Sequence, residues 1–146
     1  FAWPLPYGGG RSEHIVRFEK PEPSQLRRVT PYGTIDPQPK DSPLDGDTLK
    51  LANGLFADDA LVWERIDSRQ LIYGVPGFPS LRIDFPDTPS LGIWTKPNAR
   101  FLCIEPWAGI ADPNDYQGEF AQKPAVMFLQ PDEEYTFRMN IALDSF

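Results

Sequence analysis

Hydrophobic and polar positions alternate along most of this chain, and the alternation has a period of two. In residues 14–19, His14, Val16 and Phe18 fall on one face, the pattern of a half-buried strand. Residues 25–30 follow as a second strand after a Pro-Glu-Pro turn, and residues 68–75, 81–85 and 91–96 read as further short strands. Each of these closes on a proline or a glycine, residues that punctuate strands. Residues 101–107 make another strand, and residues 125–129 and 134–143 predict a closing hairpin around Gln130-Pro131-Asp132-Glu133. Residues 31–48 carry four prolines and two glycines and read as a long surface loop. Residues 55–63 are consistent with a helical turn leading into a strand, and residues 108–124 read as a polar loop. No long stretch has the 3.6-residue period of a helix, and no internal repeat is present. Short strands at regular spacing predict an all-β fold, an antiparallel sandwich or barrel, with no domain boundary inside residues 1–146.

Composition narrows the picture. A chain of 146 residues suits one domain, which at this size buries about 68–70% of its unfolded surface. Seventeen prolines disfavour helix interiors and central strand positions. A net charge of −7 with only isolated basic pairs such as Arg27-Arg28 argues against a nucleic-acid partner, which needs clustered cations. No run approaches the roughly 18 apolar residues of a membrane span. The single cysteine, Cys103, excludes an intrachain disulfide and a cysteine metal cage and fits a reducing, cytoplasmic setting. The chain begins with Phe1 rather than Met, as a processed chain or a fragment would.

The candidate chemistry centres on F-L-C-I-E-P-W-A-G, residues 101–109. Phe101, Cys103, Glu105 and Trp107 share a strand face, and Pro106 holds Glu105 extended. An unpaired acid is costly to bury. Glu105 is therefore either a general base in an aromatic-floored cleft, its pKa raised by apolar neighbours, or a solvent-facing or salt-bridged edge acid. Trp94 shares a face with Lys96. With Trp107, Trp3 and Trp63 it forms a set of rings that could stack on a sugar or simply fill a core. Asp58 and Asp59 read better as first-turn acids of a short helix than as ligands for hydroxyls. His14, the only histidine, reads as a satisfied structural residue, and one histidine excludes a His-rich metal site. Asp112, Asn114 and Asp115 read as a solvated turn rather than a calcium loop. Gly8-Gly9-Gly10 reads as a flexible turn, and Cys103 as a small buried hydrophobe.

Taken together, L-G-I-W-T-K-P (residues 91–97), F-L-C-I-E-P-W-A-G-I-A-D (101–112) and A-V-M-F-L-Q-P-D-E-E-Y-T-F-R-M-N-I-A-L (125–143) resemble the aldose 1-epimerase (galactose mutarotase) family. The likeness is to the branch whose base motif reads C-I-E-P-W. D-G-D-T-L-K-L (45–51) and L-F-A-D-D-A-L-V-W (55–63) also fit that branch. The resemblance implies the C-terminal half of a twisted, galactose mutarotase-like β-sandwich, since family members are about twice as long. It implies Glu105 as the base in mutarotation of an aldohexose or a related monosaccharide, without metal or organic cofactor. Trp94, Lys96, Asp59 and Trp107 become candidate sugar contacts, with Asp58 able to take the place of Asp59. F-A-W-P-L-P at the start resembles the segment just after a family G-x-H-P element, whose histidine is the general acid. That histidine and an earlier substrate-binding histidine have no counterpart here. The expected alternative is a non-catalytic, sugar-binding β-sandwich.

Overall fold

The computed structural model describes residues 1–52 and 54–146. Among the described residues ten strands are present: β1 (Ile15–Phe18), β2 (Gln25–Arg28), β3 (Lys40–Asp41), β4 (Thr48–Lys50), β5 (Leu61–Trp63), β6 (Gln70–Gly74), β7 (Pro79–Asp84), β8 (Ser90–Trp94), β9 (Cys103–Trp107) and β10 (Asn140–Ser145). They form two five-stranded sheets with orders β10-β7-β6-β1-β4 and β3-β2-β5-β8-β9. Every strand pairing is antiparallel. Among the described residues no α-helix occurs; single 3₁₀ turns span Arg11–Glu13 and Phe120–Gln122. The all-β sandwich expected from the alternation is therefore the observed architecture. Prolines sit where the ladder tolerates them: Pro79 opens β7, and Pro106 lies on β9, the last strand of its sheet.

Alternation explains the core. Val16 and Phe18 of β1, Leu71 and Tyr73 of β6, and Ile83 of β7 point inward from the first sheet. Leu26, Leu61, Trp63, Leu91, Ile93 and Ile104 meet them from the second. Phe18 packs edge-on against Trp63, with ring centroids 5.5 Å apart, a favoured aromatic geometry. His14 is fully buried on the same side as Val16. The Leu5 amide donates to its Nε2 (3.0 Å), so Nδ1 carries the proton and donates to the Gly10 carbonyl (2.9 Å). Both ring nitrogens are thus satisfied, as expected of a structural histidine.

Three expectations need correction. The proposed hairpin over residues 125–143 does not form a ladder. A turn closes through Glu133 N–H to the Gln130 carbonyl (3.0 Å), but residues 125–139 carry no strand, and β10 pairs instead with β7. Alternation calls for a face to lie on. The side chains of Phe128, Tyr135 and Phe137 remain exposed, and an isolated hairpin is marginal in water. The segment 31–48 is not purely a surface loop. Ile35 is buried, and its amide and carbonyl bond to Asp112 O (2.8 Å) and Asn114 N (2.9 Å). Residues 54–59 form turns rather than a helix, and Asp59 takes a positive φ of 65°, a left-handed conformation that Asp tolerates.

Candidate functional site

The outer face of the second sheet carries a small apolar cluster. Ala60 and Val62 lie on it, covered by Ile35 and Ile110 from two crossing loops, with Val29, Trp94, Trp107 and Ala111 packed around them. The loops are fastened by the Ile35–Pro113 bridge, and Thr34 Oγ1 donates to Asn114 Oδ1 (2.8 Å). Strand register sets what lies beside this cluster. On β9, Ile104 faces the core while Cys103, Glu105 and Trp107 are half-buried on the outer face. Across β8 they pair in order with Trp94, Gly92 and Ser90. Gly92 pairs in turn with Val62, which pairs with Arg27. A row therefore runs Arg27–Val62–Gly92–Glu105, with the carboxylate at the edge strand. Arg27 itself is engaged by Glu64 at 3.0 Å.

The chain's first residues pair with the same edge. Phe1 and Leu102 exchange backbone hydrogen bonds, from Phe1 N to the Leu102 carbonyl (2.9 Å) and from Leu102 N–H to the Phe1 carbonyl (2.8 Å). Ala2 bridges Phe101 in the antiparallel sense. Tyr73 fastens this segment from below, its hydroxyl donating to the Ala2 carbonyl at 2.7 Å. Burial pushes the Tyr73 phenol well up, with Arg11 opposing. The Cys103 thiol is also pushed up, first by burial and then by the neighbouring Glu105 carboxylate. Cys103 is half-exposed and faces Glu105's side, not the core position expected of it.

Two clefts open at the end of this sheet, on either side of the turn at residues 54–59. One, of about 720 Å³, is lined by Arg28, Thr30, Asp36, Lys40, Asp58 and Asp59. Burial lowers the Arg28 guanidinium pKa, and Asp58 and Asp59 oppose that shift. Arg28 donates to the Asp59 carbonyl (2.9 Å), while the Asp59 carboxylate accepts from the Ala60 amide (2.7 Å). The other, of about 410 Å³, is lined by Trp3, Arg11, Phe56, Thr95, Lys96 and Asn98. Of the sequence-derived candidates, Glu105, Trp94 and Trp107 share the outer face. Asp59 lines the first cleft and Lys96 the second, and Glu105 lines neither. Trp3 and Trp63 are core residues. Gly92, which sequence reading missed, pairs directly with Glu105; a glycine inside an apolar strand was the available signal. No group of three or more metal-ligating side chains occurs among the described residues, nor a helix long and apolar enough to cross a membrane.

The two antiparallel sheets match the fold of galactose mutarotase-like proteins. A galactose mutarotase related enzyme from Lactobacillus acidophilus superimposes with a TM-score of 0.80 at 25% identity, over 99% of this chain and 49% of that one. A galactose mutarotase-like protein from Lactobacillus casei ATCC 334 gives a TM-score of 0.80 at 19% identity, over 91% and 47%. By sequence, Protein LacX of Lactococcus lactis subsp. lactis, in plasmid and chromosomal forms, is 28% identical over 135 residues, 90% of this chain. The chain spans 45% of the length of those curated relatives. No protein-family model matches it.

Proposed function

We propose that this chain is the C-terminal part of an aldose 1-epimerase-like protein that interconverts the anomers of an aldohexose or a related monosaccharide, with Glu105 as the base. The observation that carries the reading is Glu105's position. It lies half-buried on an open sheet face, with no salt-bridge partner among the described residues, in a chain whose fold matches galactose mutarotase-like proteins. In the reaction, the Glu105 carboxylate takes the proton of the anomeric hydroxyl. The C1–O5 bond breaks, its electron pair goes to O5, and a general acid protonates O5. The open-chain aldehyde turns about C1–C2 and closes by the reverse steps. Acid–base steps of this kind contribute about 10²- to 10⁴-fold each.

The general acid is proposed to come from polypeptide upstream of Phe1. Any strand continuing back from the Ala2–Phe101 bridge in the same register passes Cys103 and then Glu105. Trp94, Trp107, Asp59 and Lys96 are the proposed ring and hydroxyl contacts, and the proposed partner is a monosaccharide. A second reading, a sugar-binding sandwich without catalysis, is favoured by one fact: the only histidine, His14, is buried and fully bonded. Calorimetry and polarimetry on the full-length gene product separate the two. The epimerase reading expects both sugar binding and anomer interconversion above the spontaneous rate. Binding without rate enhancement rejects it in favour of the second.

A further inference from the structure

We infer that Gly92 is a positioning residue for Glu105: it is the gap that lets the Trp107 indole lie across β8 as a wall beside the carboxylate. The inference rests on Glu105 being the base. Gly92 pairs directly with Glu105 across the β8–β9 ladder, so the side chain it lacks would be the carboxylate's nearest neighbour on that strand. A Cβ at Gly92 would lie 2.7 Å from Trp107 Cζ2, 3.0 Å from Cη2 and 3.1 Å from Cε2. Those three atoms belong to the six-membered half of the indole. Backbone freedom does not explain the glycine, since its φ lies outside the left-handed region. The space that its side chain would fill is taken by the ring.

Trp107 reaches that space on a diagonal, because its own partner across the ladder is Ser90. The ring also packs against the cluster of Ile35, Ala60, Val62 and Ile110. It is therefore held between the β8 backbone and the crossing loops, and cannot retreat when a methyl group is added beneath it. The wall closes the β8 side of Glu105, and a substrate reaching the base is confined to the remaining sides. Placement errors of about 1 Å at a reacting group can cost about 10²-fold in rate, so a displaced ring should act mainly on turnover.

The test uses the full-length gene product with Gly92→Ala, Trp107→Phe and the double substitution. The phenyl ring of Trp107→Phe lacks the outer indole atoms that meet the new methyl group. Gly92→Ala is expected to lower kcat by about 10-fold or more while KM changes less than about threefold. Trp107 emission, isolated by difference from Trp107→Phe, is expected to shift to the red. The double substitution is expected to recover the thermal stability that Gly92→Ala loses, including the case where Gly92→Ala alone does not fold. If the wild-type protein shows no anomer interconversion, the epimerase reading fails, and the emission and stability arms still decide the packing. A Gly92→Ala protein with wild-type emission, kcat and KM overturns the inference. So does a double substitution no more stable than Gly92→Ala.

Discussion

Two ionisable residues, His14 just before β1 and Glu105 on β9, sit in opposite surroundings. His14 lies in the core with a donor and an acceptor both matched by backbone groups. Replacing it by leucine strands the Leu5 amide and the Gly10 carbonyl. Leu5 is buried and Gly10 exposed, so at about 1–3 kcal/mol for the one buried unsatisfied amide His14→Leu is expected to destabilise the fold by about that much in chemical denaturation. An unchanged midpoint would show that the bonds are replaceable by water. Glu105, by contrast, lies on the outer face; alternation in F-L-C-I-E-P-W puts it on one face with Cys103 and Trp107 but does not say which face that is. Its company there was only partly legible. Trp107 was visible from spacing, whereas Gly92 and Val62 become its neighbours only once β8 and β5 are in register. Register depends on contacts distant in sequence, and one strand's pattern does not carry it. Cys103 misled for the same reason: an apolar-looking residue in an apolar strand turned outward because Leu102 and Ile104 take the core.

At the scale of elements, the strands with a partner to lie on were legible and those without were not. β1, β6, β7 and β8 fall within or beside their expected ranges because each alternates over a filled core. The segment 125–139, which alternates from residue 134 on, forms no strand. Its stretch before β10 is held instead by Asp87, which accepts from Arg138 N (3.0 Å), Nε (2.8 Å) and Nη2 (2.7 Å). These hydrogen bonds and the guanidinium charge hold the Asp87 carboxyl below its usual range. A carboxyl depressed in the folded state fastens the segment fully above its unfolded pKa of about 3.9 and lets go as pH falls through the lower, folded value. The Arg138 amide resonance is accordingly expected to titrate with a midpoint below about 3.9. A midpoint at or above that value would contradict the ion pair. Asp87→Asn is expected to speed tryptic cleavage at Arg138, and cleavage at the wild-type rate would show that the fastening lies elsewhere.

For the whole molecule, the sandwich is unevenly covered. Ile141 and Leu143 of β10 pair with Ile83 and Leu81, which places them on the inner side, yet they are 53% and 71% exposed. Phe120, Phe128 and Leu129 are exposed too. β10 and β9 are also the end strands of their sheets. Exposed apolar surface beside open strand edges promotes association. Residues 1–146 alone are therefore expected to self-associate as concentration rises, checked by sedimentation velocity. A single monomeric species up to high concentration would contradict this.

The proposed reaction rests on Glu105 as the base that opens the sugar ring. Saturation-transfer NMR between the α and β anomeric protons of an aldohexose, with the full-length gene product, measures the exchange itself. The wild-type protein is expected to speed exchange above the spontaneous rate, and Glu105→Gln to remove about 10²- to 10⁴-fold of that enhancement while remaining folded. A folded Glu105→Gln protein that exchanges the anomers as fast as the wild type would contradict the account.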